Sequence, residues 1–211
     1  VEKPVAVLQI FHGMAEHITR YSDFAGYLNR NGIIVFGIDA RGHGETGKEA
    51  NSIGHFADSD GWEKVVSDQK AIYEYMKAQY PDLPFYLLGH SMGSFLARDF
   101  INRYPDYFSK VIAMGSGKAN DVSYGAARFI LSFLNKKAPS KLIHGLAFGA
   151  YNKNIENPKT LFDWLSTDDM KVQEYIDDEF CGIPVTNGFY QDFMHGMQCI
   201  AESEKDILYH K

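Results

Sequence analysis

A serine enclosed by two glycines is the residue of this sequence best suited to covalent chemistry. Residues 89–93 read Gly-His-Ser-Met-Gly, the pattern G-x-S-x-G, between an apolar run at 85–88 and a helical stretch. A serine becomes a good nucleophile when it is exposed and directed at a base, which a sharp strand-to-helix turn achieves. That turn strains the serine backbone and requires small neighbours. We therefore predict that Ser91 is a nucleophile and that the Met92 N–H stabilises an oxyanion.

A second loop is predicted to supply the other oxyanion donor. Residues 12–17 read His-Gly-Met-Ala-Glu-His and directly follow an apolar run at 5–11. Because two convergent N–H groups stabilise a tetrahedral intermediate, we predict that the Met14 N–H acts together with that of Met92. Taken alone, this loop would indicate a turn histidine with a satisfied hydrogen bond. The serine motif alone would also be compatible with a glycine-rich turn that holds an idle serine.

The remaining histidines and cysteines give no comparable pattern. His43 lies in the segment Asp-Ala-Arg-Gly-His-Gly at 39–44, which predicts a tight structural turn, and a catalytic role for it is the less favoured alternative. His43 and His55 lack the clustered ligands of a metal site, and Cys181 and Cys199 lie 18 positions apart without a second cysteine pair. A phosphate-binding loop and a dinucleotide-binding glycine motif are both missing from the sequence. We therefore expect no metal and no cofactor.

The elements that must position these residues alternate along the first half of the chain. Apolar runs predict buried strands at 5–11, 33–38, 85–88 and 111–114. Apolar residues at helical spacing predict the helices between them, at 20–30, 62–76 and 91–104, and the glycine-rich stretch 40–60 is predicted to be a loop. This alternation predicts an α/β fold in which a parallel sheet has helices on both faces. Ligands bind such sheets at the carboxyl ends of the strands, where the candidate residues fall.

The pattern changes after Gly117. Residues 118–195 contain helical stretches separated by Asn, Lys, Pro and Gly, they are rich in aromatic residues, and they show no clear strand. We interpret them as a helical cap laid over the strand ends, and the alternative is additional core helices. Residues 196–211 are interpreted as a helix that returns to the core.

Composition limits the class of protein. The chain has 211 residues, 45% of them hydrophobic, and a net charge of −6, which predicts one globular domain, either simple or with an insertion. A negative charge argues against a nucleic-acid partner and a membrane-surface binder. Two cysteines cannot form a disulfide framework, so we expect a reducing, cytoplasmic location. No apolar run approaches the roughly 20 residues that cross a bilayer.

Several segments together resemble a known superfamily. They are H-G-M-A-E-H at 12–17, R-Y at 20–21, F-G-I-D-A-R-G-H-G-E-T at 36–46, L-L-G-H-S-M-G-S at 87–94 and N-P-K-T-L-F-D-W-L-S-T-D at 157–168. The chain is thereby similar to α/β-hydrolases of the monoacylglycerol lipase and lysophospholipase-like, serine aminopeptidase S33-type group. The resemblance implies a three-layer sandwich with a mostly parallel sheet and a helical cap.

The same resemblance implies roles for individual residues. Ser91 matches the nucleophile of the group, and Met14 and Met92 match its two oxyanion donors. Glu16 and Arg20 match polar positions near the alcohol end of the pocket. The expected substrate-binding residues are His12, Gly13, Glu16, Arg20 and His90.

The sequence departs from the group at both ends. The acid and the histidine of the group follow the cap on loops after two further strands, and this sequence ends near the first of them. His195 and His210 lack that setting at the end of a strand. We therefore expect a chain truncated at both ends, with the acid and histidine beyond Lys211 and an opening hairpin missing before Val5. The expected division is a partial core at 1–117, a cap at 118–195 and a return helix at 196–211.

Two functional hypotheses follow. The first is a serine carboxylic-ester hydrolase that forms an acyl-enzyme on Ser91 and acts on an apolar ester such as a monoacylglycerol or a lysophospholipid, while peptidase activity stays open. The second is a catalytically incompetent fragment, or a hydrolase-like module that binds a lipid or partner, because the acid and histidine are not in the sequence. The expected partner is a small-molecule or lipid ester.

Overall fold

Four parallel strands form the sheet, as the sequence predicts. The computed structural model describes residues 1–118, 121–140, 143, 145 and 151–204. The strands are β1 (Ala6–Phe11), β2 (Ile33–Gly37), β3 (Phe85–His90) and β4 (Lys110–Met114). Their order in the sheet is β2-β1-β3-β4, and every neighbouring pair is parallel. Each observed strand lies within two residues of its predicted limits.

Helices connect and flank the strands. They are α1 (Ser22–Arg30), α2 (Gly44–Glu49), α3 (Gly61–Gln79), α4 (Met92–Arg103), α5 (Asp121–Leu131), α6 (Asp169–Asp177) and α7 (Asn187–Ser203), with short 3-10 turns at Ile18–Tyr21, Tyr151–Asn154 and Asp163–Leu165. Among the described residues, every helix is too short or too polar to span a membrane.

The two faces of the sheet carry separate apolar clusters, which gives three layers. Side chains alternate along a strand, so that Val7 and Phe11 of β1 face one side while Leu8 and Ile10 face the other. The first pair packs in the larger cluster with side chains of α3, α4 and α7, and the second packs with the segment that contains α1. The three-layer α/β sandwich predicted from the sequence is confirmed.

The prediction of a loop over residues 40–60 is wrong in part, because α2 lies within it. The first turn of α2 is capped from a distance, since the Glu45 N–H donates to Asp39 Oδ2 at 2.9 Å. Asp39 follows β2 and also accepts a hydrogen bond from the Ile18 N–H at 2.8 Å. A short, glycine-rich helix capped by a residue outside it leaves no periodic pattern in the sequence, which explains the error.

Helix α7 crosses the boundary predicted at 195/196. It runs unbroken from Asn187 to Ser203, and the Thr186 hydroxyl caps its start by accepting a hydrogen bond from the Phe189 N–H at 3.1 Å. Phe189 is fully buried in the core cluster, and a Cβ at Gly196 would overlap the Trp62 ring of α3. This helix packs as the alternative of an additional core helix would, and the assignment of a cap at 118–195 stays a prediction. The tail at 205–211 lies outside the described residues.

Candidate active site

A single strained residue links β3 to α4. Ser91 has φ 51° and ψ −117°, with His90 ending the strand before it and Met92 beginning the helix after it. A positive φ at a residue other than glycine costs about 1–3 kcal/mol and persists where surrounding contacts enforce it. One such contact is the hydrogen bond from the Ser91 N–H to the Met114 carbonyl of β4, at 2.9 Å. The sharp strand-to-helix turn predicted for residues 89–93 is therefore present.

Two glycines allow close packing at the turn, Gly93 against the end of β1 and Gly89 against the start of α4. A Cβ at Gly93 would lie 2.7 Å from the His12 carbonyl oxygen and closer still to that of Phe11. A Cβ at Gly89 would lie 2.8 Å from the Cα of Ser94. Because these obstructing atoms belong to the backbone, they cannot move aside as a flexible side chain would. The requirement for small residues on both sides of Ser91 is thus steric.

We expect Gly93→Ala to lower the free energy of unfolding by about 1–3 kcal/mol, since the new methyl group overlaps backbone of β1 and its loop. Gly26→Ala in α1 is the matched control, because the nearest atom to its new Cβ is an Arg30 nitrogen at 3.7 Å. That substitution should be neutral or stabilising by up to about 1 kcal/mol. Urea unfolding measures both, and equal stability of the two variants would contradict the steric argument.

Ser91 is partly exposed. Its backbone groups are bonded, but within residues 1–118 and the other described segments no side chain hydrogen-bonds to its hydroxyl oxygen. The neighbouring Ser94 differs, because it is fully buried and its hydroxyl donates to the Ser91 carbonyl at 2.6 Å. No described histidine is thus placed as a base on Ser91.

The loop after β1 lies directly beside this turn. Phe11 at the end of β1 pairs with Gly89 at the end of β3, so that residues 12–14 continue next to residues 91–93. The backbone N–H groups of Met14 and Met92, the two predicted oxyanion donors, have no acceptor among the described residues. Met92 also opens α4, where the helix dipole places partial positive charge. Unpartnered donors beside an open hydroxyl are what binding of a carbonyl oxygen requires.

A buried carboxylate joins this loop to the serine turn. Glu16 is only 3% exposed, and its Oε1 accepts hydrogen bonds from the Gly13 N–H at 2.6 Å, His90 Nδ1 at 2.9 Å and the Tyr21 hydroxyl at 3.0 Å. Its Oε2 is paired with Arg20. These hydrogen bonds hold the loop at residues 12–17, called the Met14 loop below, against His90. Glu16 is thus bound within the protein on both carboxylate oxygens, and its substrate-binding role stays a prediction.

The charge of Glu16 is stabilised despite its burial. Burial alone would raise the pKa of the carboxyl, but the hydrogen bond and charge of His90, with the charge of Arg20, outweigh it and hold the pKa at about 2. The same carboxylate, together with burial, raises the pKa of the Tyr21 hydroxyl, which keeps its proton to donate. Glu16 is therefore an anion at neutral pH, and four residues donate hydrogen bonds to it.

His12 is also buried and hydrogen-bonded within the protein, and its substrate-binding role stays a prediction. It is 2% exposed, its Nε2 accepts a hydrogen bond from the Ala40 N–H at 2.9 Å, and its Nδ1 lies 2.7 Å from the Gly13 carbonyl. Because Nε2 accepts, the ring is neutral and Nδ1 donates. Burial lowers the pKa of His12, in agreement with that state. Gly13 is likewise buried, and a Cβ there would meet the Glu16 carboxylate.

Arg20 and His90 remain partly accessible. The Arg20 guanidinium pairs with Glu16 and lies 5.0 Å from the centre of the Tyr175 ring, in cation–π geometry. The His90 side chain is 36% exposed, with only its Nδ1 bound to Glu16. The substrate-binding predictions for these two residues stay open.

His43 is enclosed by apolar side chains. It is fully buried against Phe56 and Phe189, its Nδ1 lies 3.0 Å from the Arg41 carbonyl, and its Nε2 has no hydrogen-bond partner among the described residues. Burial, with the adjacent His12, lowers the pKa of His43 to about 3, so the ring is neutral. A neutral, enclosed imidazole fits the structural turn that the sequence favours.

Residues that no sequence motif indicates bind the loop at 12–17 from the side opposite the Ser91 turn. The Ala15 carbonyl accepts hydrogen bonds from the Tyr175 hydroxyl at 2.8 Å and from the Gly182 N–H at 2.9 Å. His17 Nε2 lies 2.7 Å from Asp178 Oδ2. These partners come from the segment around α6, some 160 residues away, and no motif or periodicity relates them to the loop.

Known proteins are similar to this chain in sequence. The family model described as serine aminopeptidase, S33 matches residues 2–209. A monoacylglycerol lipase of Mycolicibacterium smegmatis is 29% identical over 154 residues, which are 72% of this chain and 53% of that protein. A monoglyceride lipase of Mus musculus is 32% identical over 109 residues, which are 52% of this chain and 34% of that protein. The chain thus spans about half or less of the length of these relatives.

Solved structures with a similar fold also include an esterase and a lipase. A highly thermostable carboxyl esterase from Bacillus coagulans superposes with a TM-score of 0.85 at 27% identity, covering 94% of this chain and 65% of its own. A monoacylglycerol lipase of Paleococcus ferrophilus, at 20% identity, shares the fold with a TM-score of 0.65, covering 97% of this chain and 71% of its own. The chain has the α/β-hydrolase fold and belongs to the serine aminopeptidase S33 family.

Proposed function

We propose that this chain carries the nucleophile and the oxyanion hole of a serine carboxylic-ester hydrolase. The observation that carries the proposal is the partly exposed Ser91 hydroxyl, free of protein partners among the described residues, on a backbone of φ 51° between β3 and α4. An energetically costly backbone at an open hydroxyl is typical of functional sites. The lipases and esterases among the relatives support the same chemistry.

The proposed reaction has two halves. Ser91 Oγ attacks the acyl carbon and gives its proton to a base, while the N–H groups of Met14 and Met92 bind the oxygen that becomes negative. The alcohol leaves with a proton from that base, and an acyl-enzyme on Ser91 remains. Water then attacks the acyl carbon and gives a proton to the base, the bond to Ser91 Oγ breaks, and the base returns the proton to Ser91 as the carboxylic acid is released. Glu16 and His12 take no proton in these steps, because they hold the Met14 loop in place.

The proposed substrate is an ester with an apolar acyl chain, such as a monoacylglycerol or a lysophospholipid. Helix α5 and the residues after it expose four large apolar side chains, Phe129, Ile130, Phe133 and Leu134. Such a surface next to the core suits an alkyl chain better than a charged group. The names of the bacterial and mouse relatives, monoacylglycerol lipase and monoglyceride lipase, support this class.

The base and its acid are proposed to come from outside the described residues. Within the described part of the chain, the histidine–carboxylate pairs with hydrogen-bonding geometry are His17–Asp178, His55–Asp58 and His90–Glu16, and none of them bonds to Ser91 Oγ. The same observation favours a second candidate, a hydrolase-like module that binds a lipid or a partner without turnover.

An alkyl fluorophosphonate probe separates the two candidates, because it reacts only with a serine that a base has activated. We expect the folded full-length protein, which includes the proposed base and acid, to be labelled on Ser91, as located by peptide mass spectrometry, and the Ser91→Ala variant to remain unlabelled. A folded full-length protein that is never labelled would overturn the hydrolase and support the binding module. Labelling that persists in Ser91→Ala would assign the reactivity to another residue.

A further inference from the structure

Three different ligand types meet beside the loop that carries Met14. One nitrogen of His17, one carboxylate oxygen of Asp178 and the thiol sulfur of Cys181 all lie within 4.8 Å of one another. The closest pair is His17 Nε2 and Asp178 Oδ2, at 2.7 Å. His17 is buried, while the Asp178 side chain is 28% exposed, so solvent reaches the group from one side.

Neighbouring groups already orient two of the three ligands. His17 Nδ1 lies 2.8 Å from the Thr19 hydroxyl, which can either donate or accept and therefore suits either tautomer of the ring. Asp178 Oδ1 accepts a hydrogen bond from the Phe180 N–H at 2.9 Å, which leaves Oδ2 directed at His17. Metal-binding histidines and carboxylates are commonly oriented by such outer hydrogen bonds.

We propose that His17, Asp178 and Cys181 form a binding site for Zn²⁺. Nitrogen, oxygen and sulfur donors within one small cluster suit this borderline-soft ion, and three protein ligands leave a fourth position for water. A thiolate and a carboxylate also supply two negative charges for the ion, and the nearby Arg20 is already paired with Glu16. On binding, the Cys181 thiol loses its proton to the buffer and its sulfur bonds to the metal.

The site would join two segments that already touch next to the predicted oxyanion loop. The Gly182 N–H and the Tyr175 hydroxyl both donate to the Ala15 carbonyl, one residue after Met14. A metal held by His17 on one side and Asp178 and Cys181 on the other restrains the same contact. Zinc is therefore expected to stabilise the fold around this loop as well as to bind.

A second cluster provides a matched control. Glu63, His195 and Cys199 also bring a carboxylate, a histidine and a thiol within 4.8 Å. Here, however, Arg103 donates to both oxygens of Glu63, with Nη2 at 2.9 Å from Oε1. A guanidinium at the carboxylate occupies the oxygens and repels a cation. We therefore assign zinc to the first cluster, and Cys199→Ser should leave binding unchanged.

The test is a titration of the folded protein with Co²⁺, followed by displacement with Zn²⁺. We expect about one equivalent of Co²⁺ to bind with a thiolate-to-cobalt absorption band, which Zn²⁺ abolishes. Cys181→Ser should lose the band and weaken zinc binding by at least about tenfold, as calorimetry measures, whereas Cys199→Ser should retain both. The proposal is overturned if the unmodified protein binds no metal, or if the band depends on Cys199.

Protection of the thiol tests the site without any substitution, which matters if Cys181→Ser fails to fold. The protein is treated with iodoacetamide with and without Zn²⁺, and both cysteines are quantified by peptide mass spectrometry. Zinc should slow alkylation of Cys181 at least tenfold and leave that of Cys199 unchanged. Equal rates at Cys181 with and without zinc would contradict the site.

Discussion

Replacing Ser91 with alanine is expected to lower kcat/KM for ester hydrolysis by at least about 10³-fold. The proposed reaction passes through a bond between Ser91 Oγ and the acyl carbon, and alanine has no atom that can form it. The variant still binds substrate and keeps its two oxyanion donors. Together these accelerate direct attack by water only modestly. Hydrolysis of a p-nitrophenyl ester, followed by absorbance, measures the loss.

The stability of the same variant distinguishes loss of chemistry from loss of fold. Ser91 Oγ has no partner among the described residues, so its removal should leave the midpoint of thermal unfolding nearly unchanged. Ser67→Ala, at an exposed position of α3, is the control and should retain full activity. Activity of Ser91→Ala within tenfold of the unmodified protein would rule out the proposed nucleophile.

Glu16→Gln is expected to lower the free energy of unfolding at pH 7 by about 3 kcal/mol. The pKa of Glu16 falls from its ordinary 4.5 to about 2 on folding, and each unit corresponds to roughly 1.4 kcal/mol. A glutamine amide also carries two N–H donors, which would meet groups that themselves donate, such as Arg20. Removing one partner from a buried ionic cluster is commonly this costly, because the others lose their counter-charge.

The pH dependence of the free energy of unfolding shows whether the charge of Glu16 is the cause of this stabilisation. Because folding lowers the pKa of Glu16, its contribution is complete above pH 4.5 and is lost as the pH falls toward 2. The unmodified protein should therefore lose stability across this interval more steeply than Glu16→Gln, as urea unfolding at each pH would show. Glu174→Gln is the control, since its exposed pair with Lys171 contributes little. Parallel pH curves for Glu16→Gln and the unmodified protein would contradict the argument.

Elements with a strong local pattern could be predicted from the sequence. The β3 strand, its glycine-bounded turn and helix α4 follow from a short apolar run, G-x-S-x-G and helical spacing, all within about twenty residues. The parallel order of the sheet follows because helices of sufficient length separate the strands. Helix α2 has no such pattern because its cap comes from Asp39, and α7 continues without a break through the domain boundary expected at 195/196.

The roles of individual polar residues depended on contacts that sequence spacing does not encode. Glu16 and His12 carry the residue types of a substrate pocket, yet the fold buries both and satisfies them with backbone and side-chain partners. Their burial depends on how β1, β3 and the segment after β2 meet. From the sequence, a polar residue beside a predicted site is equally compatible with contacting a ligand and with supporting the site.

The candidate nucleophile, the sheet that presents it and the family can all be identified from residue order, because they depend on short-range steric rules and on an ordered set of motifs. The contacts that hold the site together are visible in the folded chain alone. Glu16 meets His90 across 74 residues, and His17 meets Asp178 across 161. Such pairs form where loops from distant strands and helices converge at one end of the sheet, and no local pattern in the chain specifies that convergence.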